Sequence, residues 1–273
     1  MLIKNITVLR FSIIMSCLFL LNAGAGTLDE AAVKKKLRTI SDKKEMPSIR
    51  YAALKLLVEE KEKTVVPVIG ELVLDTSADQ KLRILAMQSF PEFYPEFADE
   101  CISIADKYFI ANLLPFQGDR AGAKWISFNP KELPFIIEFM HTLAKTGKRE
   151  AISSFILPIR TKETHYLCPL VLSEMGKPAV AFLLSMLDDE DPKTRKNCVI
   201  SLGKIGDTRA VAALIEMLKE DKNVGVRLEV ARSLVLIGDK KAVPFLETAQ
   251  KKAKLAEEAN ELENAVKKLK GKK

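Results

Sequence analysis

The chain has 273 residues, 48% hydrophobic, 29% charged and 7% aromatic, with 12 Gly and 12 Pro. This globular composition excludes an intrinsically disordered chain and suffices for one extended or two compact domains. The formal charge of +7 lies at the two ends: Lys4 and Arg10 with no acid in residues 1–25, and eight Lys against Glu257, Glu258, Glu261 and Glu263 in residues 251–273. The neutral body between them gives no warrant for a basic groove, so nucleic acid is not an expected partner.

Residues 1–25 read as a signal peptide. A short start with Lys4 and Arg10 precedes the apolar run from Phe11 to Leu21, too short to span a bilayer as a helix, and Ala23 and Ala25 supply the small residues a signal peptidase requires. Cleavage after Ala25 is expected, leaving an exported, periplasmic or secreted chain of 248 residues with no stable membrane span. An uncleaved anchor would have to hold Arg10 mid-membrane, and a lipoprotein reading at Cys17 leaves Leu18 to Leu21 of the apolar run after the cysteine.

Beyond the leader the chain repeats itself. Arg50 opens a pattern with Ala53, Leu57 and Val66, and Arg83, with Ala86 and Phe90, opens another copy 33 residues later. Ser77 and Gln80 read as a capping box before the Arg83 helix. From about 91 to 160 the register is lost. Phe90, Phe93, Tyr94, Phe97, Tyr108, Phe109, Phe116, Trp125, Phe128, Phe135 and Phe139 concentrate here, and Gln117 to Gly122 reads as a loop. Two readings stand for these rings: an inserted partner-binding surface, or bulky filler between two repeat blocks.

The register returns at Cys168, Leu172 and Gly176, in a degenerate copy with His165 in the Arg slot and Pro169 interrupting the helix pattern. It is clearest at an offset of 32, where Arg195 falls on Arg227, Leu202 on Leu234, Gly206-Asp207 on Gly238-Asp239 and Leu214 on Leu246. Asp191 caps a helix begun by Pro192, Gly206 ends it, and Asp207 opens a second helix with Val211, Leu214, Ile215 and Leu218 inward. Such a pair cannot bury both apolar faces alone. The fold class is therefore all-α, an α-solenoid of stacked antiparallel helix pairs. Last comes an apolar stripe, Leu255, Ala259, Leu262, Val266 and Leu269, read as a capping helix with a basic tail, the alternatives being a short coiled coil or a basic surface helix that touches anionic lipid.

The Asp191-Pro-Lys-Thr-Arg195, Leu202 to Asp207 and Ala210 to Leu214 segments resemble the HEAT repeat, in the variety found in phycobilisome lyases. The expected organisation is 1–25 signal peptide, 26–107 N-terminal HEAT-like repeats, 108–160 irregular aromatic-rich insertion, 161–250 C-terminal HEAT-like repeats and 251–273 capping helix and tail. The resemblance implies that the Arg-bearing helix lines the concave side of an armadillo-type superhelix, and that its Arg bonds an acidic residue in an adjacent loop. Arg50, Arg195 and Arg227 match that slot; His165 does not.

No G-x-S-x-G, P-loop, H-E-x-x-H or C-x-x-C occurs. His141 lies in an apolar run and reads as structural. His165, Cys168 and Cys198 raise the question of a metal, but stacked helices lie about 8 to 10 Å apart, too far for two equivalent cysteines to share a zinc. Cys101, Cys168 and Cys198 are expected buried and unpaired, and no metal or cofactor is expected. The functional expectation is a non-enzymatic, monomeric scaffold or adaptor binding another protein. The alternative, from the resemblance, is a chromophore-handling protein or lyase. With Ala53, Cys198 and Val230 facing the core, the slots one and five residues after each Arg point away from it. They hold Tyr51, Lys55, Lys196, Ile200, Leu228 and Arg232, which with Trp125 form the candidate partner-binding set.

Overall fold

The computed structural model describes residues 28–113 and 127–271. The leader, the Gln117 to Gly122 loop, Phe116 and Trp125 lie outside the described residues. The chain divides into two compact units, one ending at Phe93 and one from Tyr94 to Lys273. Among the described residues the regular structure is helical; an isolated bridge joins Leu113 and Phe128.

The first unit contains α1 (Glu30–Ser41), α2 (Pro47–Glu59), α3 (Val66–Leu74), α4 (Gln80–Gln88) and the short α5 (Phe90–Phe93). Helix α2 packs on α1 and α4, and α3 on α4. Asp29 caps α1 by accepting from Ala32 N at 2.6 Å. Asp79, not Ser77, caps α4: its carboxylate accepts from Lys81 N and Leu82 N at 3.0 and 3.2 Å. Ser77 instead donates through Oγ to Asp75. A carboxylate one residue before the helix reaches two of the orphan amides of the first turn, so it displaces the hydroxyl.

The second unit begins with α6 (Ala98–Ala111), α7 (Leu133–Lys145), a 3-10 stretch Arg149–Phe155 and α8 (Ile156–Ile159). Here the described aromatics are mostly core. Tyr108, Phe109, Phe128 and Phe139 are fully buried, with ring centroids 5.6 to 6.1 Å apart in tilted and edge-on pairs. Tyr108 Oη donates to the buried Glu132 at 2.9 Å.

There follow α9 (Cys168–Leu172), α10 (Val180–Ser185), α11 (Pro192–Ile205), α12 (Val211–Glu220), α13 (Val224–Ile237), α14 (Val243–Lys252) and α15 (Ala256–Gly271). One row of helices runs α7, α9, α11, α13, α15, each packed on the next; α12 and α14 pack together in a second row. Pro169 sits in the first turn of α9, where its missing amide is no loss, so it sets the start of a five-residue helix. Ser201 Oγ donates to Pro169 O at 2.7 Å and Ser233 Oγ to Val199 O at 2.9 Å, tying α9 to α11 and α11 to α13.

Helix α15 takes the place of the first helix of a further repeat, packing on both α13 and α14. Leu262, Val266 and Leu269 of its expected stripe are buried, but Leu255 precedes the helix and is 56% exposed. Glu258, counted above as tail charge, is 4% exposed.

Candidate functional site

The polar chemistry of the second unit is organised as a ladder across the repeats. Arg195 Nε and Nη2 donate to the two carboxylate oxygens of Asp221 at 2.8 and 3.0 Å, and its Nη1 to Asp189 O at 2.7 Å. One repeat later, Arg227 Nε donates to Glu258 Oε1 at 2.9 Å and Nη1 to Asp221 O at 2.9 Å. Each Arg thus clamps the carbonyl of its own loop and the carboxylate of the next unit. Asp189 and Asp221 also fold their loops, accepting from Asp191 N at 2.9 Å and Asn223 N at 2.8 Å.

His165 belongs to this ladder, which corrects the expectation that it breaks the pattern. Its Nδ1 faces Ile159 O, six residues back as in both Arg rungs, and its Nε2 lies 3.3 Å from Asp189 Oδ1. The acid lies 24 residues ahead, against 26 for Arg195. Arg50 departs from the expected acidic partner: its Nε donates to Ile40 O at 2.7 Å. The loops of the first unit are two residues longer between the aspartate and the Arg (Asp42 to Arg50, against Asp189 to Arg195). The carboxylate rung there falls to Lys43, whose Nζ lies 2.7 Å from Asp75. That contact and the Ser77 hydroxyl hold the Asp75 carboxyl down at about 2.

A second regularity accompanies the ladder. Lys61, Gly176, Gly206 and Gly238 follow Arg50, His165, Arg195 and Arg227 by eleven residues, and all four have positive φ, of 53, 70, 70 and 86°. Three are glycine, which adopts this region cheaply; Lys61 is not.

The expected partner-binding residues lie where the helical period puts them. Ala53, Cys198 and Val230 are buried. In the second unit Lys196 and Ile200 of α11 and Leu228 of α13 are half-buried, and Arg232 of α13 is exposed. Arg232 lies 3.4 Å from Glu229 and 3.6 Å from Glu261, so part of its charge is already answered. Tyr51 and Lys55 are exposed on α2 of the first unit, and Lys55 lies 3.6 Å from Glu59. Trp125 lies outside the described residues.

The thiols offer no nucleophile. Cys101, Cys168 and Cys198 are buried and unpaired; burial pushes Cys101 up to about 12 and drives Cys168 and Cys198 upward as well. His141 Nδ1 is 2.7 Å from Glu174 Oε1, tying α7 to the turn after α9. Among the described residues no group of three or more His, Cys, Asp or Glu is placed to hold a metal ion, and no helix is long and apolar enough to cross a membrane.

Lys252 and Lys254 join Lys219 and Lys222 around a cavity of about 740 Å³ between the ends of α12, α14 and α15. Separations in sequence conceal this cluster; it forms where the ends of α12 and α14 and the loops that follow them come together.

The family of HEAT repeats matches residues 172–262. These residues are HEAT repeats. The segment bearing the match holds the Arg195 and Arg227 rungs, with Glu258 near its end. A stretch of 76 residues is 40% identical to phycocyanobilin lyase subunit alpha of a Picosynechococcus species, covering 25% of this chain and 28% of that relative. The chain therefore spans less than a third of that relative's length. Among solved structures, the Escherichia coli protein YibA superimposes with a TM-score of 0.40 at 16% identity over 89% of this chain and 83% of that one. An engineered protein does so with a TM-score of 0.29 at 16% identity, over 87% of this chain and 96% of its own.

Proposed function

We propose that this chain is an exported, non-enzymatic scaffold or adaptor that captures another protein, acting as a monomer. The observation that carries the reading is the α11 and α13 surface, where half-buried Ile200 and Leu228 lie beside Lys196 and Arg232 on neighbouring HEAT helices. Apolar side chains flanked by cations suit an acidic, partly apolar segment, and repeat stacks build such surfaces from adjacent helices. The engagement of both histidines in structural contacts and the burial of all three described thiols support a binding role over catalysis. Export rests on the sequence of residues 1–25; terminal sequencing of the exported protein should begin at Gly26.

The test is affinity capture from an exported fraction with the unaltered chain and with Lys196→Glu combined with Arg232→Glu. Loss of a partner from the double variant, at unchanged helicity and melting temperature, supports the reading; retention refutes this surface. The partial match to a phycocyanobilin lyase subunit favours a second reading, a chromophore-handling protein. It is tested by incubation with free bilin, where a coloured adduct supports the second reading and rejects the first.

A further inference from the structure

We infer that the lysine-rimmed cavity at the last repeat is a docking site for an acidic peptide segment bearing one bulky apolar anchor. This rests on the reading of the chain as a protein-binding scaffold and names a partner chemistry for a surface separate from α11 and α13. The cavity is about 740 Å³, within the range of pockets that enclose a ligand side chain or small molecule. Buried Leu218 and Leu262 form part of its lining. Phe245 and Leu255, also in the lining, stay 37% and 56% exposed.

The rim supplies the charge. Lys222, Lys252 and Lys254 make no ion pair among the described residues, in contrast to Lys219, which lies 3.2 Å from Glu216 and 5.0 Å from the centre of the Phe245 ring. The one carboxylate in the lining, Glu258, is already neutralised by Arg227. Three unanswered cations from two loops and a helix end call for several negative charges along a segment, more than a single carboxylate head can offer.

The neighbouring groove decides against a flat anionic membrane. It shares Lys222, but Asp188, Glu190, Glu216 and Glu220 stand exposed in its lining, while Asp189 and Asp221 are taken up by His165 and Arg195. A bilayer wide enough to reach the lysines would bring its headgroups against these acids, whereas a narrow peptide need not.

The test uses the full chain and fluorescence anisotropy of a short labelled peptide with a central tryptophan flanked by glutamates. Saturable binding is expected, falling roughly tenfold or more in the triple variant Lys222→Glu, Lys252→Glu, Lys254→Glu, and weakening with added salt. Leu255→Glu, at an exposed position, should weaken binding with helicity intact, as should replacing the peptide tryptophan by serine. Absence of binding, or binding indifferent to the triple change or to loss of the tryptophan, overturns the proposal. So does preferential retention on phosphatidylglycerol vesicles, or light scattering that finds a dimer dissociated by the triple change, since a second copy then fills the cavity. The Lys196 and Arg232 variant should leave peptide binding intact, so failure here and failure of the α11 and α13 surface are read separately.

Discussion

Changing Gly203 to Ala would test how closely α11 and α13 approach. A Cβ at Gly203 would stand 2.5 Å from Ser233 Oγ, 2.7 Å from its Cβ and 2.9 Å from its Cα. Rotating the serine moves the first of these atoms but neither of the others, so relief requires one helix to shift. Overpacking of this kind costs about 1 to 3 kcal/mol, and displacing the Ser233 hydroxyl from Val199 O adds about 0.5 to 1.5 kcal/mol. Against these stands the higher helix propensity of alanine, about 1 kcal/mol in a helix interior. The balance is a loss of about 0.5 to 3.5 kcal/mol, centred near 2. For a chain of this size the central value lowers the melting temperature by roughly 4 to 8 °C. Urea unfolding followed by circular dichroism measures it. Adding Ser233→Gly should restore part of the loss, because it removes Oγ and Cβ but not Cα, and the double-mutant cycle should show coupling. If Gly203→Ala raises stability, propensity alone is at work and the close approach is refuted.

Lys61→Gly should raise stability by about 0.5 to 1 kcal/mol in the same assay, because the residue holds a φ of 53° that glycine adopts without Cβ strain; a loss would mean the 3.6 Å contact to Glu92 outweighs the backbone. Asp221→Ala should cost about 3 kcal/mol, since Asp221 is 4% and Arg195 16% exposed as side chains and removing one partner strands the other. Burial raises the Asp221 carboxyl, but Arg195, the Asn223 amide and Arg227 outweigh it and hold it below its ordinary value. A lowered carboxyl stabilises the fold above its unfolded value of about 3.9 and loses that contribution as pH falls through the folded value. Acid titration of Asp221→Asn should therefore show a shallower loss of stability; an unchanged acid limb would contradict the pairing. Native protein at neutral pH should resist iodoacetamide at Cys101, Cys168 and Cys198, and rapid alkylation of any of them would overturn its placement in the core.

The parts of the fold that repeat locally were legible in the sequence. Asp191-Pro192, Gly206 and Asp207 each act within a few residues, so capping and positive φ could be inferred before any contact was known. Ser77 failed because two acceptors, Ser77 and Asp79, competed for one helix end, and only geometry separates them. Glu258 and the lysine cluster failed for another reason: each is defined by a partner one repeat away in space. A periodicity search compares like with like, and Glu258 of α15 does the work of Asp221 from a helix instead of a loop.

The ladder also has a physical consequence for how the repeats hold together. Asp221 accepts from Arg195 through its side chain and from Arg227 through its carbonyl, so one loop is clamped by the units on either side. Asp189 stands likewise between His165 and Arg195. In a linear stack, stability is the sum of unit terms and nearest-neighbour terms; these rungs belong to the second kind. Removing the Asp221 carboxylate should therefore weaken the α11 to α13 boundary more than either repeat by itself. Hydrogen exchange would show this as faster opening on both sides of residue 221, with the amides of α7 unaffected. Protection lost only within one repeat would mean that the rung stabilises its own loop and couples nothing.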